Sequence, residues 1–168
     1  MEFSAATVYT YERLYGFNIF VAKKKLWFWI LLAVSTLLCA MSLGLSIAMK
    51  DVGIFEIFLV ALIVLTDVVS VITYFVIPRS AIKKSPALNS TVNFEFYHDY
   101  LKISADTKLS KENSELRYSA IVKYAEANND VYLYISKNQA FIIDKASLTG
   151  ATVEELKEFL QLRNIKTK

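Results

Sequence analysis

The sequence predicts an α+β membrane protein: a transmembrane helical hairpin, then a small antiparallel β-meander closed by a C-terminal helix. Three observations carry this. Two apolar runs are long enough to span a bilayer. Apolar residues then alternate with a period of two. The chain ends in a capped amphipathic stretch. Mean hydropathy is +0.37, high for a soluble protein, and the excess lies between Leu26 and Ile77.

Residues 1–25 read as an N-terminal cytoplasmic or interfacial segment. Within it, Thr10–Val21 predicts an interfacial helix with an apolar side of Leu14, Phe17, Ile19 and Phe20, although Gly16 weakens it. Residues 26–77 form the predicted hairpin. Leu26–Met49 is uncharged over 24 residues and opens with Trp27, Phe28 and Trp29, aromatic types that collect at a membrane interface. Gly53–Ile77 is the second span and contains Glu56 near the loop and Asp67 near the middle. Pro78 is expected to end it, because the residue before a proline disfavours helical angles. The connection Lys50-Asp51-Val52 is short enough to force an antiparallel pair.

Lys23, Lys24 and Lys25 precede the first span, and Arg79, Lys83 and Lys84 follow the second, against Lys50 alone at the far end. The positive-inside rule then puts both termini in the cytoplasm of a multi-pass membrane protein. Ser35, Cys39, Ser42 and Ser46 recur at helical spacing on one span, and Thr66, Ser70 and Thr73 on the other. Small residues of this kind let helices approach closely in lipid. They predict a seam within the hairpin, with a homo-oligomer interface as the alternative. Asp67 is costly at such a depth, about 2.5–3.5 kcal/mol, and is therefore a functional candidate. The reading adopted is structural: a protonated Asp67 hydrogen-bonded to Ser35, Thr36 or Cys39 across the hairpin. A proton or ion relay, or a polar contact with another membrane protein, is the alternative. Two helices make a poor transport path.

Residues 78–90 read as a linker and 91–168 as the cytoplasmic β domain. Val92, Phe94 and Phe96 alternate with polar partners, His98-Asp99 turns the chain, and Leu101, Ile103 and Ala105 resume the apolar face. Asp106–Ser114 reads as a loop. Tyr118–Glu126 leads to the turn Asn128-Asn129-Asp130, after which Val131, Leu133 and Ile135 alternate with Tyr132 and Tyr134. Lys137-Asn138 turns into Ala140–Ile143. Thr152 and Glu155 stand at capping-box spacing before a helix from Val153 to about Arg163, striped by Val153, Leu156, Phe159 and Leu160.

Charge excludes some functions. The net +3 arises in residues 1–84, with eight basic against five acidic residues, while residues 85–168 carry eleven of each. Without a basic patch or a nucleic-acid motif, no nucleic acid partner is expected. The single Cys39 lies in the first span, so no intrachain disulfide is possible. His98 is the only histidine and sits in a turn, so neither a metal site nor another cofactor is expected. The glycines number four, with no phosphate loop, and no carboxylate pair suits acid–base work. An enzyme is not expected.

The runs FEFYHDYLKIS and ELRYSAIVKYAEANNDVYLYISKNQAFIIDKASL, followed by the Leu156–Leu162 helix, resemble the C-terminal domain of bacterial YcxB-like proteins. The matching motifs are Phe94–Phe96 with Asp99, Tyr118–Ile121, Tyr132–Tyr134 and Ala140–Ile143. The resemblance implies a membrane-tethered domain like a pleckstrin-homology (PH-like) barrel in a bacterial cell membrane, with no assigned activity and no catalytic motif. The expected function is a membrane-anchored binding or scaffold module that recognises a protein partner or an inner-leaflet lipid. The alternative is an immunity protein against a secreted, membrane-acting toxin.

Overall fold

The computed structural model describes residues 2–23, 26–48, 53–107, 110–127 and 129–167. The expected connection Lys50-Asp51-Val52, the cations Lys24 and Lys25, and Asn128 lie outside the described residues, as do the side chains of Trp27 and Glu56. Two compact units emerge: a helical one, Asn18–Ala81, and a β-rich one built from both ends of the chain, Met1–Phe17 with Ile82–Lys168.

Five helices are used below: α1 (Tyr11–Lys23), α2 (Leu26–Ala48), α3 (Ile54–Val71), α4 (Ile77–Lys84) and α5 (Val153–Leu162). In the helical unit α2 packs against α3, and rings close one end of the pair. Tyr74 lies 5.1 Å from Phe28 and 5.4 Å from Trp29, centroid to centroid. Seven residues along α2 and seven back along the other helix, Thr36 meets Asp67, which fixes an antiparallel register. Pro78 does not end the second helix as expected. A π-helical turn, Ile72–Val76, joins α3 to α4, and the Ile77 N–H reaches back to the Ile72 carbonyl. The wider turn makes room for a proline ring that would otherwise clash with the carbonyl four residues earlier.

Among the described residues, nine strands make two sheets in place of the expected single meander or closed barrel. The first, in spatial order, contains β4 (Lys111–Arg117), β3 (Tyr100–Asp106), β2 (Thr91–Phe96), β1 (Phe3–Val8) and β8 (Leu148–Thr149). The second contains β7 (Ala140–Asp144), β6 (Asp130–Tyr134), β5 (Lys123–Ala127) and β9 (Lys166–Thr167). All pairings are antiparallel except β5 with β9.

The alternation in β2 places Val92, Phe94 and Phe96 in the core. Its neighbour is β1, paired from Phe3 opposite Phe96 to Val8 opposite Thr91. The strand that completes this sheet thus comes from before the hairpin. Phe3 stacks on Phe96 at 4.4 Å, and Phe159 of α5 meets Phe3 edge-on at 5.0 Å. Leu156 and Leu160 are fully buried, and the Thr152–Glu155 capping box is formed. At its other end α5 closes in a Schellman turn. Asn164 takes the left-handed conformation (φ 60°), and the Ile165 N–H bonds the Leu160 carbonyl.

Two expectations fail in this unit. The polar stretch Asp106–Ser114 is not simply a loop: Lys111–Arg117 is an edge strand with only Leu116 partly covered. An edge strand exposed on both faces has no apolar alternation to reveal it, and its charges discourage pairing with other chains. In β6 all five residues are buried, so Tyr132 and Tyr134 do not face solvent as alternation implied. Phe17 of α1 packs on them, 5.1 Å from Tyr132 and 6.0 Å from Tyr134.

This architecture predicts that residues 91–168 alone will not fold cooperatively, since they lack β1 and the Phe17 cover. Residues 1–17 joined to 82–168 by a flexible Gly/Ser linker should give a monomer with a single sharp thermal transition by circular dichroism. A cooperative transition for 91–168 alone would refute the role given to β1.

Candidate functional site

Three places gather polar groups. The first is in the helical unit. Thr36 Oγ1 donates to Asp67 Oδ2 at 2.9 Å and also lies 2.9 Å from the Leu32 carbonyl. Asp67 Oδ1 is buried without a hydrogen bond among the described residues. Ser35 bonds its own helix at the Leu32 carbonyl, so Thr36 rather than Ser35 faces the carboxyl. Of the expected seam, Cys39, Ser46 and Ser70 are buried, Ser35 is half-buried, and Ser42, Thr66 and Thr73 are exposed. Thr66 and Thr73 turn back to the carbonyls of Leu62 and Val69. The covered side of the second helix runs through Ile63, Asp67, Ser70 and Tyr74. Sequence spacing found Ser70 but set Asp67 apart from the seam that contains it.

The second place joins the two ends of the chain. Arg13 of α1 bonds Asp130 Oδ1 at 3.2 Å, pairs with Asp144 through Nη2, and donates to the Val8 carbonyl at 3.2 Å. Asp130 and Asp144 are directly opposed on β6 and β7. The three side chains retain only 23%, 12% and 16% exposure. Burial pushes the Asp130 carboxyl above its ordinary 3.8, and Arg13 offsets this in part. Beside them, Thr7 Oγ1 accepts the Asp144 N–H at 2.9 Å and Tyr9 Oη accepts the Ile142 N–H at 3.1 Å. Burial pushes the Tyr9 phenol up to about 12. Apart from the Arg13–Val8 bond, which joins α1 to β1, these contacts tie the start of the chain to the second sheet, which makes this a structural lock. Nothing in the spacing of Arg13 signalled it, because its partners are more than a hundred residues away.

The third place is an open cleft of about 530 Å³ lined by His98, Asp99, Arg117, Tyr118, Ser119, Leu162 and Arg163. Its floor is held firmly. Tyr118 Oη lies 2.7 Å from the Tyr97 carbonyl and 3.1 Å from that of Tyr100, clamping the turn between β2 and β3. Burial raises this phenol well above its ordinary range. Arg163, the cap of α5, lies 3.4 Å over the Phe159 ring. It donates through Nε and Nη2 to the His98 carbonyl at 3.1 and 2.7 Å, and through Nη1 to the Phe159 carbonyl at 3.1 Å. The rim is open. His98 and Asp99 are 84% and 85% exposed and touch each other, Nδ1 to Oδ1, at 2.7 Å. The side chains of Arg117 and Ser119 make no hydrogen bond or ion pair among the described residues, and Leu162 is 81% exposed. Sequence reading took His98-Asp99 as a turn, and the structure keeps it as the turn between β2 and β3. The same reading missed that α5 brings Leu162 and Arg163 beside it. Among the described residues, no three His, Cys, Asp or Glu side chains converge as metal ligands.

Comparison with known proteins bears on this cleft. Residues 106–160 match the family model of YcxB-like proteins. The YcxB-like segment runs from the end of β3 through most of α5 and supplies Arg117, Tyr118 and Ser119 to the cleft. His98, Asp99, Leu162 and Arg163 lie outside it, as do Phe94–Phe96 and both apolar helices. No curated protein and no solved structure matches the chain.

Two predictions follow from these geometries. Arg13→Gln leaves two opposed, largely buried carboxylates without their cation and should cost about 3 kcal/mol at neutral pH. Because the folded-state pKa of Asp130 is raised, its contribution is fullest in acid, below 3.8, and is lost as pH rises through the folded-state value. Without Arg13 this loss deepens, so denaturant titrations should show the deficit narrowing in mildly acidic buffer. A deficit that widens toward acid would refute the lock. In the helical unit, Asp67→Asn keeps a polar partner for Thr36, and an interhelical hydrogen bond is worth roughly 0.6–2 kcal/mol. Asp67→Asn and Asp67→Leu should both match the parent in membrane yield and in oligomeric state in detergent. Normal insertion with loss of phenotype in Asp67→Asn would move Asp67 from structure to function.

Proposed function

We propose that the helical unit anchors the chain in a bacterial cell membrane as a two-span hairpin with both flanks cytoplasmic. The β-rich unit then acts as a non-catalytic module that binds a protein partner at the membrane surface. The observation that carries the anchoring is the pairing of β1 with β2. These strands precede and follow the hairpin, so the segments on either side of it share one compartment, as an even number of crossings allows. Two helical stretches, Phe28–Ala48 and Ile57–Lys84, are long and apolar enough to cross, and the most apolar 18 residues of each have mean hydropathies of 2.2 and 2.4. Only 12% and 6% of those 18-residue portions is buried, which argues against core helices of a soluble protein. Lys23, Arg79, Lys83 and Lys84 flank the same end and favour the cytoplasmic side.

The open cleft supports a binding role, since concave sites of 300–1,000 Å³ with a few polar groups are the usual places for recognition. Its mixed charges, on a half-chain with equal numbers of acidic and basic residues, favour a protein over an anionic lipid headgroup.

Orientation and binding are tested together. In a Cys39→Ser background, single cysteines at Glu2 and at Glu154 should react with an impermeant maleimide only after the membrane is opened. A photoreactive side chain at Ser119 should give a discrete adduct in cells that one at exposed Asn113 does not. Labelling of either cysteine in intact cells would overturn the topology, and adducts indifferent to position would overturn the binding role.

A further inference from the structure

Resting on the binding role above, we infer that the cleft recognises an acidic side chain on an exposed segment of its protein partner. The carboxylate pairs with Arg117, and an adjacent apolar residue lies against Leu162. The chemistry of the rim selects this occupant. Of the two guanidinium groups lining the cleft, Arg163 is committed. Its donors serve the His98 and Phe159 carbonyls, its plane covers Phe159, and its Nη2 lies 3.8 Å from Glu2. The guanidinium of Arg117, at the end of β4, has no hydrogen bond or ion pair among the described residues and presents a fork suited to bidentate capture of a carboxylate. The unpartnered Ser119 hydroxyl lines the same cleft and offers a further hydrogen bond.

Asp99 sets the limit on charge. Its carboxylate is 85% exposed on the same rim, with one oxygen held by His98. It repels a multiply charged phosphate more strongly than a single carboxylate, and it attracts a donor such as a backbone N–H. Leu162, 81% exposed on the last turn of α5, adds an apolar contact that a headgroup or free anion would not use. An acid beside an apolar residue on an extended segment satisfies Arg117, Asp99 and Leu162 together. The floor, fixed by Tyr118 and Arg163, keeps the rim groups in place without the ligand.

The test uses the full chain in detergent micelles and fluorescence anisotropy with three short labelled peptides. Their cores are Leu-Glu-Leu, Leu-Gln-Leu and Ala-Glu-Ala. The first should bind about tenfold tighter than the second, the worth of one charged hydrogen-bonded pair. Arg117→Gln should erase that preference, whereas Lys111→Gln, which removes an exposed cation elsewhere on β4, should keep it. Leu162→Ser should weaken the leucine peptides toward the alanine one. Arg117 and Leu162 are exposed, and unchanged circular dichroism melts will confirm that both variants fold. Equal binding of the Glu and Gln peptides, or a preference that survives Arg117→Gln, overturns the inference. Displacement of the Glu peptide by phosphatidylglycerol vesicles but not by phosphatidylcholine vesicles overturns it too, and assigns the cleft to lipid phosphate. If no peptide binds while the Ser119 adduct still forms, this recognition rule falls and the binding role stands. If the adduct is also missing, both fall.

Discussion

Six residues before the hairpin, Phe3–Val8, pair along their whole length with Thr91–Phe96 after it, and the rest of the β-rich unit is arranged around that pairing. It puts a strand from the first ten residues between β2 and β8. It also holds the neighbouring segments together, as the Tyr9 N–H bonds the Ser90 carbonyl and the Asn89 N–H bonds that of Tyr9. Closing so long an insertion is less costly than it looks, because loop entropy grows only with the logarithm of length. A folded antiparallel helix pair also returns its two ends to one side by itself.

The side chains that accompany β1 extend its influence beyond its own sheet. Thr7, Tyr9 and Arg13 all reach β6 or β7, and Phe17 covers Tyr132 and Tyr134. A four-stranded sheet with β6 wholly buried needs cover on both faces, and α1 supplies part of it. Burial then raises the Tyr132 phenol to about 12. Arg13 makes an unusual demand, since two opposed carboxylates at low exposure are tolerable only with their cation present. On the far side of the sheet, Glu126 holds Lys145 and Lys157. These two hydrogen-bonded ammonium groups keep its carboxyl below the ordinary range. This network is more exposed, and it secures α5 less strongly than the burial of Leu156, Phe159 and Leu160 does.

In the cleft, side chains committed to backbone carbonyls and side chains left open to solvent divide a small surface. Tyr118 and Arg163 spend their donors on backbone carbonyls of the β2–β3 turn and of α5, so they stabilise the concavity. The side chains of Arg117, Ser119 and Leu162 make no such bonds among the described residues, and it is on them that the proposed recognition rests. The YcxB-like segment contains the first two of these but ends before Leu162, so the complete rim depends on residues on both sides of it.

Periodicity and composition were enough, in this sequence, to identify the elements whose signal is local. The two apolar helices, the alternating strands β2 and β3, and the Thr152–Glu155 cap all follow from residue types at short spacing, because burying one face or filling one helix end is a local requirement. Asp67 also stood out by itself, as a lone carboxylate in an apolar run. Tertiary structure alone decided that Phe3–Val8 is a strand of the β-rich unit, because its partner lies beyond two apolar helices and six alternating residues carry little signal. It alone decided that β4 is a strand, since an edge exposed on both faces has no pattern, and that Pro78 sits inside a helix, since a π-turn upstream relieves the clash. It also separated Thr36 from Ser35 as the partner of Asp67. Helical spacing brings both near the seam, and only the rotation of one helix against the other selects which hydroxyl meets the carboxyl.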